Sequence, residues 1–482
     1  MSSEQHLEID ENNDEYNYAA PSDDDEILIE DWVNMMSQEI DDQGTNSEMN
    51  ELEIILNEIS DSLQEAPSTS AKDFLFNLGN DASIKLNALP PEFVGDTITP
   101  YKVFKLFLTD DILQQFTNNT RGYALSMLSK YNYKEDRKQQ LTDISCDEIE
   151  SFIISMFWIA LDPKSSIRKY FETVEASSCR SEHKLEKLFT RDRFEYILRR
   201  FHASDAFSPS NQYEDKLIKI RVFIDHFNRI SPTMMHSGTY ISSDECVIGF
   251  NGAHYAKVKC KGKMVGSGFW FYAQSDPRSG YMYQLKLKDK LTSYDANVPK
   301  LVGILDSLSS WAQKGRVFVL DNYYTTLNLA LHFLEKGQYI LGTIKKQRVP
   351  SLVKNKSIAD DDYDWTIVKQ NNKNITFLRI FHRGFNRTVK KVVYLLCTHP
   401  FISQQLTINT SRRYSSNNEL AARHILVKGK ANVSAPFMSA SYSHNLGEVD
   451  RFDRKLASSV KTIKSKKWWF RFILVIYTCN ED

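Results

Sequence analysis

At 482 residues the chain exceeds what one hydrophobic core organises, so two to four domains are expected. A composition of 41% hydrophobic and 25% charged residues can fill a large core, while the lack of any run of about 18 apolar residues and the acidic start exclude a membrane span and a secretory leader from expectation. The formal net charge of −2 conceals an asymmetry: residues 1–70 hold 21 Asp and Glu with no Lys or Arg, leaving 60 basic against 41 acidic side chains in the rest, a surplus that suits a polyanion such as nucleic acid.

Residues 1–90 read as a disordered acidic tail, with the run Asp23, Asp24, Asp25 and Glu26 and two short amphipathic pieces, Glu30–Ile40 and Leu52–Leu63. Such a tail either solvates and repels itself or mimics DNA within the molecule and competes for the basic body. Residues 91–235 read as helical. Tyr101–Leu108 has helical spacing, Thr109 is placed to cap a helix over Asp110–Tyr123, and Ser145 opens a capping box with Glu148 ahead of Ile149–Ala160. Thr190–Phe201 and Lys216–Ile230 are two further amphipathic helices.

The pattern changes at Thr239. Tyr240–Ile248, Phe269–Gln274 and Met282–Leu287 are β-rich runs divided by turn residues. A helix over Ala296–Gln313, the strand Val317–Leu320, a helix over Thr326–Gly337 and the strand Tyr339–Lys345 follow, and together they predict a mixed sheet with helices on its faces. Residues 347–440 form a β-rich insertion, with strands over Asn374–His382 and Val392–Thr398. The helical period resumes near Glu448 and ends in an apolar helix, Trp468–Tyr477.

Two acids sit oddly in this pattern. Asp244 interrupts a β-branched strand, and Asp321 ends the apolar run Val317–Leu320; a buried carboxylate is costly unless a cation or donors compensate it. Strand ends of an α/β sheet are also where ligands bind. Asp450 and Asp453 stand three apart on a predicted helix and face one side. Converging carboxylates repel one another, and hard divalent cations, Mg²⁺ or Mn²⁺, relieve that repulsion. Two such ions about 4 Å apart serve phosphodiester chemistry. Spacing alone does not establish that the acids meet; a strand-end Asp is more often a turn or cap residue.

The segments Ser-Ser-Asp-Glu (242–245), Val-Leu-Asp-Asn-Tyr-Tyr-Thr-Thr (319–326) and Tyr-Ser-His-Asn-Leu-Gly-Glu-Val-Asp-Arg-Phe-Asp (442–453) resemble the three signature blocks of piggyBac-type transposases. Further landmarks lie in the same order: Phe-Leu-Thr-Asp-Asp-Ile-Leu (107–113), Thr-Arg-Gly-Tyr-Ala (120–124), Thr-Arg-Asp-Arg-Phe (190–194) and Lys-Lys-Trp-Trp (466–469). The resemblance implies an α/β fold: a ribonuclease-H-like catalytic core, residues 236–346 and 441–482, with an all-helical N-terminal region for dimerisation and DNA binding and a β-rich insertion at 347–440. It implies that Asp244, Asp321 and Asp450 are the catalytic triad and hold two Mg²⁺ or Mn²⁺ ions, with Asp453 as a supporting metal-site acid. It further implies nicking of double-stranded DNA at terminal inverted repeats, hairpin formation, and joining at a TTAA target by a homodimer in the nucleus.

The chain departs from the family pattern in places. Glu448 stands where a second glycine is usual before Val449 and Asp450, adding charge beside the proposed metals. After the first acid, Lys259-Cys260-Lys261 and Gly266-Ser267-Gly268 replace a usual Lys-Pro and a later Gly-x-Lys, although Lys257, Lys259, Lys261 and Lys263 keep positive charge for DNA. The chain stops at Asp482 where relatives continue, often into a cysteine-rich zinc module, so a C-terminally truncated copy is expected. A domesticated, transposase-derived DNA- or chromatin-binding protein without productive catalysis is the alternative.

Six scattered cysteines form no C-x-x-C pair, so no zinc site is expected, and they suit a reducing compartment. Lys461, Lys464, Lys466, Lys467 and Arg471 interleave with Trp468, Trp469 and Phe470; the stretch either grips DNA or packs its tryptophans inward with lysines to solvent. His332 reads as a packing residue, whereas His444 lies near Asp450; His254 is a further candidate ligand. Glu245 points to the face opposite Asp244 if the strand is regular.

Overall fold

The computed structural model describes residues 83–84, 99–128, 135–172, 185–205, 217–250, 252–260, 266–288, 299–383, 388–413, 430–447, 449, 469 and 472. The acidic tail, Glu448, Asp450, Asp453, Lys261, Lys263, Lys461, Lys464, Lys466, Lys467, Arg471 and the body of the final helix lie outside the described residues. No described helix is long and apolar enough to cross a membrane.

Helix α1 (Pro100–Phe107) starts at Thr99, whose hydroxyl accepts from the Lys102 amide, and proline at its first turn costs no hydrogen bond. Helix α2 (Asp110–Leu128) runs five residues past the expected end because Ala124 and Leu128 extend its buried stripe. Thr109 does not cap it through its side chain as expected. That hydroxyl is buried without a partner, while its backbone carbonyl takes the Leu113 amide. Asp110 and Asp111 complement the helix dipole instead.

Helix α3 (Glu135–Thr142) is short and polar. Helix α4 (Cys146–Leu161) begins with both halves of the Ser145–Glu148 capping box. Helix α5 (Arg191–Arg200) is capped by Thr190, and α6 (Ile218–Met234) carries Pro232 in its final turn. Their apolar faces meet in an aromatic core that includes Phe116, Phe152, Phe194, Phe201 and Phe223. Each side chain so buried contributes on the order of 1.5–3 kcal/mol before the entropy cost of ordering it.

A two-residue strand β1 (Ser83–Ile84) pairs antiparallel with β2 (Met235–His236) at the end of α6. The central sheet follows: β3 (Tyr240–Gly249), β4 (Val258–Lys259), β5 (Ser267–Ser275), β6 (Met282–Leu287), helix α7 (Lys300–Ser309), β7 (Val317–Leu320), helix α8 (Leu327–Glu335) and β8 (Tyr339–Ile344). After the short helix α9 (Ser351–Lys354) come β9 (Tyr363–Gln370), β10 (Lys373–Arg383) and β11 (Val389–Cys397), then the hairpin β12 (Thr407–Arg413) with β13 (Lys430–Pro436), and helix α10 (Phe437–Asn445).

Nine strands form one sheet in the order β4-β5-β3-β7-β8-β11-β10-β9, with β6 also on β5. Pairing is parallel only at β3–β7 and β7–β8. The first three strands of the β-rich insertion therefore do not form a separate sheet, since β11 pairs directly with β8, Leu395 opposite Thr343. Side chains alternate across the sheet. Phe318 and Leu320 of β7 enter the core made with α7 and α8, whereas Val317 enters the core that contains Phe437 and Met438 of α10. The sheet is thus covered on both faces.

Candidate active site

Strands β3 and β7 pair in parallel from Tyr240 opposite Val317 to Ser243 opposite Leu320. One step further the register brings Asp244 beside Asp321. The four residues of β7 are all buried, and the chain must turn at Asp321 to give up its place in the sheet. It does so in a turn built on that side chain: Asp321 Oδ1 accepts the amides of Tyr323 (2.8 Å) and Tyr324 (3.4 Å). The Asp321 carbonyl accepts both the amide and the hydroxyl of Thr325. Thr326 then caps α8 by accepting the Leu329 amide.

Neighbouring elements brace this turn. A Cβ on Gly342 of β8 would lie 2.2 Å from Thr325 Oγ1 and 2.8 Å from the Leu320 carbonyl, so only glycine lets the turn close onto the sheet. Arg348 reaches back from the turn after β8 and donates to the carbonyls of Tyr323 (2.9 Å), Asn322 (3.3 Å) and Thr325 (3.4 Å). One planar guanidinium thereby holds three oxygens of one loop.

Burial raises the Asp321 carboxyl above its ordinary range, and the negative charge of Asp244 adds to the rise, against the turn amides and Lys345, which favour the charged form. Two carboxylates pressed together and partly desolvated are a donor set for a hard divalent cation. Oδ1 of Asp321 is engaged by the turn, so Oδ2 is the oxygen best placed to serve. Among the described residues no group of three or more His, Cys, Asp or Glu is gathered to hold a metal.

Helix α10 crosses the same face. The Ser242 hydroxyl donates to the Leu446 carbonyl at 2.9 Å, and Tyr442 Oη lies 3.0 Å from Thr343 Oγ1. Burial pushes the Tyr442 phenol up to about 12, and the charges of Asp321 and Asp244 act in the same sense, while Thr343 opposes them. Val449 is fully buried in the core with Cys246 and Ile248 of β3, so the chain entering Asp450 is anchored at Leu446 and again at Val449.

Glu245 belongs to the opposite face, as its alternation with Asp244 requires. It sits opposite Tyr272 in the β3–β5 register, and its charge acts on Tyr323, Tyr324 and Lys288. The Lys288 ammonium lies 4.2 Å from the Trp270 ring centre, 5.8 Å from Tyr272 and 5.9 Å from Tyr323. Burial lowers it to about 8, against the pull of Glu245. Nothing in the sequence sets Lys288 apart, because its aromatic neighbours come from other turns and strands. Tyr442, by contrast, opens one of the signature blocks.

The histidines fall away from the acid pair or its chemistry. His332 contacts Asp306 of α7 at 3.1 Å, and Lys336 bonds the same carboxylate. His254 accepts the Ala256 amide and packs on Phe269. His444 is exposed at the end of α10. Lys257 precedes β4 and Lys259 lies on it, at the sheet edge. Trp469 is 2% exposed, 5.7 Å from Phe201 and 6.3 Å from Phe223, so this tryptophan packs inward.

The sequence model of the family described as Transposase IS4 matches residues 99–480. PiggyBac transposable element-derived protein 3 of Homo sapiens is 24% identical over 403 residues, covering 80% of this chain and 60% of that protein. The chimeric ERCC6-PGBD3 protein of Homo sapiens is also 24% identical over 403 residues, covering 80% of this chain and 34% of the relative. The chain thus spans less than two thirds of the length of these curated relatives. A solved structure, the cryo-EM structure of a piggyBac transposase synaptic complex with hairpin DNA, matches with a TM-score of 0.58 at 20% identity, over 81% of this chain and 76% of the other. The likeness bears out the expected fold class, an α/β ribonuclease-H-like core with a helical N-terminal region and a β-rich insertion.

Proposed function

Because the chain belongs to the piggyBac-type transposases of the family described as Transposase IS4, we propose that it cuts and joins DNA strands at terminal inverted repeats, with TTAA as target. The observation that carries this reading is the register that brings Asp244, inside the continuous strand β3, beside Asp321 at the end of the parallel strand β7. With Asp450 four residues beyond the anchored Leu446, and Asp453 in support, they would hold two Mg²⁺ or Mn²⁺ ions. Such ions, when bound, activate an attacking oxygen and offset charge on the leaving one.

The chain's own part in the proposed reaction is positioning. The Asp321 turn, clamped by Arg348 and closed on Gly342, fixes one carboxylate; the continuous strand β3 fixes the other. Lys257, Lys259, Lys261 and Lys263, with Lys461, Lys464, Lys466, Lys467 and Arg471, supply the positive charge that draws double-stranded DNA across them. A water attacks the phosphodiester at the element end and frees a 3′-hydroxyl, which attacks the opposite strand; the hairpin ends then join at TTAA. The acting species is a homodimer in the nucleus.

The deciding experiment incubates the protein with DNA carrying the repeats that flank its own coding sequence, with and without Mg²⁺. Metal-dependent nicks at the repeat ends support the reading. DNA that is retained but left intact instead supports a domesticated binding protein, which the extra charge of Glu448 beside Asp450 favours. Cleavage without preference for repeats would point to a general nuclease.

A further inference from the structure

Strand β7 ends at Leu320 opposite Gly342, whereas β8 continues to Ile344. Thr343 therefore projects past the end of its parallel neighbour, next to the turn that carries Asp321. Tyr442 of α10 covers this place: its phenol oxygen lies 3.0 Å from the Thr343 hydroxyl, in a hydrogen bond that either oxygen can donate. With Thr343 as the donor, the phenol can give its own proton to a second partner. Thr343 lies one register step past the Leu320–Gly342 pair and two residues from Leu341, which enters the core with α10, so the bonded hydroxyl stands on the same side of the sheet, where the negative charges of Asp244 and Asp321 both act on it. The ring is half-buried.

We propose that Tyr442 is a catalytic residue whose O–H donates a hydrogen bond to a non-bridging oxygen of the scissile phosphate lying across Asp244 and Asp321. The assignment rests on the reading of the chain as a strand-cleaving enzyme. A phosphate is the partner that fits. Asp244 and Asp321 each already accept a backbone amide at 2.8 Å, from Glu245 and Tyr323, whereas an entering phosphodiester brings bare anionic oxygens to the same face. Since burial and the neighbouring carboxylates oppose ionisation of the phenol, it keeps its proton throughout the neutral range and acts as a donor. A neutral donor also adds no charge that would compete with cations for the two acids. In the cleavage step its hydrogen bond strengthens as charge builds on the phosphoryl oxygen, and no bond to tyrosine forms or breaks.

The test compares Tyr442→Phe with Thr343→Val, which keeps the phenol but removes one of its supports. Single-turnover nicking of repeat-end DNA is measured across a Mg²⁺ titration carried to saturation, together with the affinity for the same DNA in Ca²⁺ and the melting temperature. The expected result is a rate loss of roughly 100-fold for Tyr442→Phe, in kcat rather than KM, with Thr343→Val within about threefold of the parent. Equal losses in the two variants would show that the tyrosine merely supports β8. Recovery of Tyr442→Phe as Mg²⁺ is raised would place its hydroxyl on a carboxylate. Either result overturns the assignment. If the parent protein leaves all DNA intact, the enzymatic reading fails and the assignment that rests on it falls as well, whereas losses confined to the comparison of the two variants judge the assignment alone.

Discussion

The Ser242 hydroxyl and the Leu446 carbonyl meet at 2.9 Å across 204 residues of chain, and they join the strand of the first acid to the segment that leads to the third. This bond and the buried Val449 are two anchors of β3 on the segment that precedes Asp450. Removing the bond should loosen the third acid without touching the first two. Ser242→Ala is expected to cost about 1 kcal/mol of stability, and to lower the nicking rate by about tenfold or more while Asp244 and Asp321 remain in place. Parallel urea titrations and nicking assays check the two effects separately.

Asp321→Asn should abolish cleavage, with DNA retention unchanged or stronger as a negative charge is lost. The metal-free protein should respond in the opposite sense. Burial and Asp244 raise the native pKa of Asp321 above that of the unfolded chain, so the native state binds its proton more tightly and ionisation destabilises it as pH rises. Asp321→Asn is therefore more stable than the parent in EDTA at neutral pH; the gain shrinks as pH falls through the raised native value and is gone below the unfolded carboxylate value of about 4. Thermal melts from pH 3 to 8 in EDTA would reveal this; a gain independent of pH would contradict it.

Gly342→Ala should disturb the Asp321 turn directly, because the new methyl meets both Thr325 and the Leu320 carbonyl. The expected cost is about 1–3 kcal/mol, and more if β8 has to shift. Shortening the side chain in Gly342→Ala with Thr325→Ala should recover only part of it, since the backbone contact remains. Denaturation midpoints at unchanged m-value provide the measurement.

In the helical region, Arg193 grips Glu148 at 2.7 Å while Glu148 completes the cap of α4. Burial alone would raise the Glu148 carboxyl, but the hydrogen bonds and charge of Arg193, helped by the Ser145 amide, outweigh it and hold the carboxyl below its ordinary value. Its stabilisation is complete above the unfolded pKa of about 4.3 and is lost as pH falls through the lower native value. Glu148→Gln should cost roughly 1–2 kcal/mol at pH 7 and almost nothing near pH 2, as read by chemical denaturation at both.

Much of this architecture was legible in the chain. Val317–Leu320 is a strand by its apolar run, the Ser145–Glu148 box announces α4, and Met282–Leu287 begins and ends where the pattern places it. What depended on register was not. That Asp321 lies beside Asp244 follows from one parallel pairing among many that the hydrophobic pattern permits. Thr109 had the right residue type and position for a cap, yet its hydroxyl is buried without meeting an amide of α2. Lys288 gains its aromatic surroundings only when β5, β6 and the loop after β7 are brought together.

The pairing of β11 with β8 also bears on how this architecture can change over time. A module joined only by its ends could be cut out and leave a sound parent behind. Here, excision of residues 347–440 would strip β8 of one neighbour and leave a row of bare amides and carbonyls beside the acid pair, an invitation to pair with other chains. The strands themselves are tied to the fate of the sheet that holds Asp244 and leads into Asp321.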